Sequence, residues 1–170
     1  MEDTYSITIK LKPVLQEFIQ GIHGNPIVAS RRTFFGKLVQ IFLQPRPADI
    51  TPEFESSAEF VTVVLPYWND LNIANGNMWI PPREQVFLEQ VLDAYFKEIF
   101  LNYVNDKIRY AVVTPQGRIA RRTRIKDTIL QFCADYNMTY SVIFYETLKK
   151  RHYRNRRKCM PNDEYISFLH

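Results

Sequence analysis

The chain has 170 residues, of which 46% are hydrophobic, 24% charged and 14% aromatic. This composition excludes an intrinsically disordered chain, because its aromatic and aliphatic side chains supply enough burial to offset the entropy of the unfolded chain. The sequence contains no run of about 18 to 20 apolar residues, which excludes a transmembrane helix and predicts a soluble protein without a membrane partner.

The N-terminal residues and the cysteines predict a cytoplasmic location. Residues 1–4 are acidic and polar, whereas a secretory leader starts with basic residues followed by an apolar run. Cys133 and Cys159 are the only cysteines, too few for the disulfide framework of a small secreted domain. We therefore expect both thiols to be reduced.

The net charge of +4 is unevenly distributed along the chain. Residues 1–117 contain 10 Lys or Arg and 13 Asp or Glu, a net charge of −3, whereas residues 118–170 contain 12 and 5, a net charge of +7. Such asymmetry is typical of a surface that contacts nucleic acid, although a solvated charged face is the simpler alternative. We predict a mixed α/β core domain over 1–117, a boundary near Gly117, and a basic unit over 118–170 that is packed on the core or appended to it.

The first 43 residues predict a strand followed by two helices. Residues 5–12 alternate apolar and polar side chains, the pattern of a half-buried strand. Pro13 suits the first turn of a helix that ends by Gly24, with apolar positions at Val14, Leu15, Phe18, Ile19 and Ile22. A second helix over about 33–43 is predicted to bury Phe34, Phe35, Leu38 and Phe42, with Ile41 at the margin.

The middle of the chain predicts a second strand and a long helix. Residues 44–59 are Pro-rich and acidic, which indicates a surface connection. Residues 60–65 form an apolar, β-branched run that predicts a buried strand and a partner for strand 5–12. After a predicted loop, residues 82–107 carry a wide apolar stripe at helical spacing, from Phe87 to Val104, and predict a central helix. Residues 108–117 fit either a third strand or a link. The fold class expected is α+β, mainly helical, with a small sheet of two or three strands.

The C-terminal part predicts two further helices. Ile125, Ile129, Phe132 and Cys133 form the apolar face of the first, which ends at Tyr136. Asn137 suits a left-handed helix end, and Thr139 or Ser141 can cap the next helix. Apolar positions of that helix continue to Leu148 and His152.

Two helices joined by a short turn, the second strongly basic, resemble the helix-turn-helix unit of DNA-binding proteins. The resemblance covers residues 118–158, RIARRTRIKDTILQFCADYNMTYSVIFYETLKKRHYRNRRK. With its acidic mixed front and basic helical end, the whole chain also looks like small regulatory or replication-associated proteins of phages and other mobile elements. The resemblance implies a nucleic-acid partner, with DNA favoured over RNA, and is compatible with a homodimer.

The predicted nucleic-acid contacts fall into two groups. Basic side chains are expected to contact phosphates, because each phosphate neutralised releases counterions; these residues are Lys149, Lys150, Arg151, Arg154, Arg156, Arg157 and Lys158, assisted by Arg121, Arg122 and Arg124. Ser141 and Thr147, near the start of the last helix, are the predicted contacts to base edges.

No arrangement of residues in the sequence predicts catalysis, a cofactor or a metal. The glycines form no phosphate-binding loop, and the cysteines and histidines are too few and too irregularly spaced for zinc. A two-metal nuclease built from Glu53, Glu55, Glu59 and Asp70 remains an alternative. The strand-helix-helix order of residues 5–43 also resembles a ribbon-helix-helix dimer, but we favour an internal pairing, because strand 60–65 offers strand 5–12 a partner within the chain.

A second class of function also remains open. The chain could be a structural or adaptor protein, such as a component of a phage particle, that directs its basic end to packaged nucleic acid or to an acidic protein. Its location would then be the virion.

Overall fold

The structure is a computed structural model. It describes residues 5–49, 60–66, 78–109, 125–139 and 142–159, with only the backbone of residues 108–109, 142–144 and 156–159. In these ranges the protein is an α+β fold, mainly helical, which confirms the predicted class. The chain forms two compact units, Met1–Phe96 and Lys97–His170. The boundary predicted at Gly117 lies outside the described residues.

The main sheet is built on the antiparallel pair that the sequence predicted. β1 (Tyr5–Lys10) runs beside β4 (Phe60–Leu65), with Ile9 opposite Val61. Alternate residues of both strands are buried, because side chains at a spacing of two share one face of a sheet. β1 is thus paired within the chain, as the apolar run at 60–65 predicted, and not with a second copy as in a ribbon-helix-helix dimer.

Three short strands were not predicted. β2 (Ile27–Val28) lies parallel to β4 and completes the sheet order β1-β4-β2. β3 (Gln44–Pro45) pairs with β5 (Met78–Trp79) in a separate two-stranded sheet. Both partners of this second sheet fall in segments predicted to be connections, so that prediction was wrong for these four residues.

Two short helices pack in the first unit. α1 (Pro13–His23) begins with its proline at the first turn and is followed by Gly24, whose φ is 83°. α2 (Phe34–Phe42) is capped by Thr33, whose Oγ1 accepts a hydrogen bond from the Gly36 amide at 3.0 Å. Threonine is a favoured N-cap because it satisfies an amide that has no partner within the helix.

The long helix α3 (Pro82–Arg109) was predicted over 82–107 and extends two residues further. Five of its buried positions recur every four residues, so each lies about 40° further around the helix than the one before; they are Leu88, Leu92, Phe96, Phe100 and Val104. Leu101 is buried as well. In the first unit the ring of Phe96 lies 4.8 Å from that of Phe18 on α1, between centroids, in an edge-to-face contact.

α3 also covers the outer edge of β1. The side chain of Gln85 accepts a hydrogen bond from the Lys10 amide at 3.2 Å, and that of Glu89 accepts one from the Lys12 amide at 3.1 Å. Glu89 also forms an ion pair with the Lys12 ammonium at 2.7 Å. These contacts occupy amides that an edge strand would otherwise offer to another chain.

Some apolar positions are not buried as the helical patterns predicted. Ile22, Phe34 and Phe87 are 42%, 43% and 54% exposed, and Ile41, placed at the margin, is 70% exposed. For the residues of α2 and α3 the reason is that these two helices lie side by side, with the ring of Phe42 5.7 Å from that of Phe87. Each helix covers a flank of the other and leaves its outer face open. Ile22 lies on α1, and this packing does not explain its exposure.

Candidate nucleic-acid interface

The second unit, which contains the candidate interface, has an aromatic cluster in its core. α4 (Ile125–Asp135) buries Phe132, whose ring lies 5.2 Å from those of Phe100 and Tyr103 on α3. Tyr136 adds a fourth ring at 4.6 Å from Phe132. Edge-to-face contacts of this kind stabilise a core beyond the area that they bury. α4 is thus held against α3 by four aromatic residues.

A polar contact lies at the edge of this cluster. The Tyr103 hydroxyl donates a hydrogen bond to Asp135 at 2.5 Å, and the amide of Gln131 donates one to the same carboxylate at 2.7 Å. Burial and the neighbouring carboxylate raise the pKa of Tyr103 above its ordinary value. The hydrogen bond from Tyr103, then that from Gln131, lower the pKa of Asp135. The pair is therefore a neutral phenol and an ionised carboxylate.

This contact predicts a pH-dependent effect of Tyr103→Phe. The lowered pKa of Asp135 contributes stability above its ordinary value of 3.8 that is lost as pH falls through the folded value. The raised pKa of Tyr103 contributes stability below its ordinary value of 10.0 that is lost as pH rises above it. In urea denaturation we expect the variant to be less stable near neutral pH, and its deficit to shrink at both extremes. A deficit that does not vary with pH would contradict this account of the pair.

The turn after α4 has a defined helix-ending geometry. Asn137 has a φ of 50°, the left-handed conformation that the sequence predicted for it. Its amide donates to the Ala134 carbonyl at 3.2 Å, and the Met138 amide donates to the Cys133 carbonyl at 2.8 Å. This pair of bonds is a Schellman motif, which satisfies the last carbonyls of a helix. Met138 is buried, so the turn is anchored by packing as well.

α5 (Val142–Cys159) packs on α4 and carries the predicted basic run. Leu148 and His152, one turn apart, are buried and define its inner face, as predicted. Lys150 and Arg154, also one turn apart, are exposed. Arg157 follows Arg154 by three residues in the sequence, and its side chain is not among those that the structure describes. We call the exposed pair Lys150 and Arg154 the basic stripe.

The other described members of the predicted set are less exposed. Lys149 is half-buried, with its ammonium 3.6 Å from the carboxylate of Glu146 and 5.3 Å from the ring centre of Tyr145. The charge of Glu146 raises the pKa of Lys149. Arg151 and Thr147 are half-buried. The set therefore does not form one uniform surface.

Several predicted contacts cannot be placed. The side chains of Arg156, Arg157 and Lys158 lie outside the described part of α5, and the residues Arg121, Arg122, Arg124 and Ser141 lie outside the described ranges. Tyr153, which is 42% exposed beside Arg154, is an aromatic residue of this face that the predicted set did not include. Its exposure depends on how α5 packs on α4, which the sequence alone does not specify.

Neither a metal cluster nor a membrane span is found in the described ranges. No three His, Cys, Asp or Glu side chains in these ranges are grouped to hold a metal ion. Glu53, Glu55, Glu59 and Asp70, the residues of the nuclease alternative, lie outside them. Cys133 is a buried thiol. None of the helices, over the residues described, combines the length and apolarity needed to cross a bilayer.

No protein family model, no curated protein and no solved structure matches this chain.

Proposed function

We propose that this protein binds double-stranded nucleic acid, with DNA preferred, through the outer face of α5. The observation that carries the proposal is the two-sided character of that helix. Leu148 and His152 are buried on one side, while Lys150 and Arg154 are exposed on the other. A helix held by its apolar side presents its cations to solvent, where phosphates can neutralise them.

The charge of this segment exceeds what helix stability explains. Residues 147–158 contain seven Lys or Arg and no Asp or Glu. Cations in the last turn of a helix interact favourably with its dipole, but the effect falls off within that turn. It therefore explains two or three of the seven. The others would repel one another in the absence of an anionic partner, which favours a polyanion as ligand.

The preference for DNA follows from groove dimensions. The major groove of B-DNA admits an α-helix, whereas that of A-form RNA is too deep and narrow for side chains to read. The cations lie towards the C-terminal half of α5, so we assign them to phosphates. Contacts to base edges would come from Ser141 and Thr147, and Arg121, Arg122 and Arg124 would add phosphate contacts.

In this proposal the protein is a binding protein and not an enzyme, with a regulatory role or one in replication or packaging. Its location would be the cytoplasm, where the nucleic acid is accessible. The alternative of a structural or adaptor protein places the same basic face against packaged nucleic acid in a virion, or against an acidic protein.

We expect the double variant Lys150→Ala with Arg154→Ala to lose affinity for a labelled duplex by roughly tenfold for each phosphate contact removed, at about 50 mM salt. Exposed charges contribute little to folding, so the melting temperature should not change. Fluorescence anisotropy with a DNA duplex of about 20 base pairs measures the affinity. The matched control is Arg32→Ala with Lys97→Ala, which removes one exposed arginine and one exposed lysine elsewhere.

Equal losses in the two double variants would mean that binding follows net charge alone and not the basic stripe. A wild-type protein that binds polyglutamate but not DNA at the same ionic strength would favour the adaptor alternative. Tighter binding to an RNA duplex than to a DNA duplex would contradict the preference for DNA that we infer from the width of the major groove.

A further inference from the structure

The outer faces of α2 and α3 form a surface that the proposed function does not use. Phe34, Lys37 and Ile41 lie on α2 at spacings of three and four residues and are all exposed. On α3 the exposed neighbours are Arg83 and Phe87, four residues apart. We call these five residues the α2/α3 surface. All belong to the first compact unit.

Ring contacts show that the two helices run antiparallel along this surface. Phe42 meets Phe87 at one end, and Phe34 meets Tyr95 at the other, with ring centroids 5.7 and 4.6 Å apart. Phe34 and Phe87, which take part in these contacts and are also exposed, therefore lie along the line where the two helices meet. Clusters of exposed apolar side chains on a folded unit are typical of interaction sites.

The charge of the α2/α3 surface is of one sign. Residues 18–48 contain four Lys or Arg and no Asp or Glu. The acidic residues on α3 in the first unit are half-buried, and Glu89 among them is turned to Lys12 at the edge of β1. The exposed positions of both helices in this unit carry Lys37 and Arg83 but no acidic side chain.

We infer that the α2/α3 surface binds an acidic amphipathic helix of a partner protein. Exposed apolar side chains on two adjacent helices can pack against a third helix that presents apolar side chains at spacings of three and four residues. Lys37 and Arg83 are exposed one turn from Ile41 and Phe87, so they favour glutamate or aspartate next to the apolar side chains of that third helix. A second copy of the same two helices would bring cations together with no exposed acid to meet them, which disfavours self-association. Nucleic acid would leave Ile41 without an apolar partner.

The test uses the full-length protein and three labelled peptides of about 18 residues. The first has leucines at helical spacing with glutamates at the other positions, the second replaces glutamate with lysine, and the third scrambles the first. We expect the glutamate peptide to bind with a dissociation constant of tens of micromolar, and both others to bind at least tenfold more weakly. Failure of all three to bind at about 1 mM would overturn the inference.

Two kinds of variant locate the binding. Phe87→Asp should weaken binding of the glutamate peptide at least tenfold. Val86→Asp should not, because Val86 is similarly exposed but lies about 100° around the helix from Phe87. Lys37→Glu should weaken binding of the glutamate peptide and strengthen binding of the lysine peptide. The same change at the exposed Lys126 should alter neither affinity. Equal effects of the paired variants would overturn the assignment.

A further arm separates a protein partner from a membrane. Vesicles of phosphatidylcholine with about 30% phosphatidylserine should not compete with the glutamate peptide. Competition that Phe87→Asp abolishes would assign the surface to a membrane and overturn the inference. All arms are measured without nucleic acid, so the result is independent of the function proposed for α5.

Discussion

Gly36→Ala should destabilise the protein by about 3 kcal/mol or more, the upper range for inserting a methyl group where no space exists. A Cβ at this position would lie 1.9 Å from the carbonyl oxygen of Ser30 and 2.5 Å from its carbonyl carbon. Both atoms are backbone, so no side chain can rotate away. The turn before α2 would have to move, which would break the hydrogen bond of 2.9 Å from the Thr33 hydroxyl to the Ser30 carbonyl.

Gly24→Ala is the matched control for this change. Gly24 has a φ of 83°, but no atom lies within 4 Å of the position of an added Cβ. The cost there is the backbone conformation alone: φ 83° with ψ 178° is a region that essentially only glycine adopts, and an alanine in it costs about 1 to 3 kcal/mol. Urea denaturation followed by circular dichroism gives both free energies of unfolding. Because alanine favours a helix over glycine, a more stable Gly36→Ala variant would show that the contact with Ser30 is not as close as described.

Phe132→Ala should have the second large effect, a loss of about 3 to 5 kcal/mol. The Phe132 side chain is fully buried and contacts the rings of Phe100, Tyr103 and Tyr136. Removing it leaves a cavity inside a cluster of rigid rings that cannot collapse freely. A domain of this size has a total stability of about 5 to 15 kcal/mol, so the loss is a large part of it.

The control is Phe87→Ala, which removes the same side chain from a position that is 54% exposed. We expect it to cost about 1 kcal/mol, since its ring contacts only Phe42 among the described ring pairs. Equal losses in the two variants would contradict the burial difference between the two positions. The comparison also tests whether the aromatic cluster supports the helices that carry the candidate interface.

The elements that could be predicted from the sequence are those with a sustained pattern. β1 alternates apolar and polar side chains over six residues, β4 is a run of apolar and β-branched residues, and α3 repeats its apolar side chains from Phe87 to Val104, about five turns. A two-residue strand such as β2 has no period, because its place is decided by pairing with β4. Helical spacing also shows which side of α2 is apolar. It does not show that α3 covers this side only in part, so that Phe34 stays 43% exposed.

The candidate site was predictable as a charge pattern and not as a surface. The run from Lys149 to Lys158 is evident from composition, and Asn137 from its tolerance of a left-handed conformation. The different environments of Lys149 and Lys150 follow from the rotation of α5 on α4 and from the nearby Glu146. The absence of Asp and Glu over 18–48 is also evident from the sequence. That its residues on α2 lie beside exposed residues of α3 is evident only from the structure.

The measurement that tests the nucleic-acid proposal most directly is the salt dependence of duplex binding. If four to six cations contact phosphates, log affinity should fall against log salt concentration with a slope of about −4 to −5. Replacing Arg154, Arg156 and Arg157 together with alanine should flatten the slope by up to about three and leave the melting temperature unchanged. No binding by the wild-type protein at low salt, or an unchanged slope in the triple variant, would contradict the proposal.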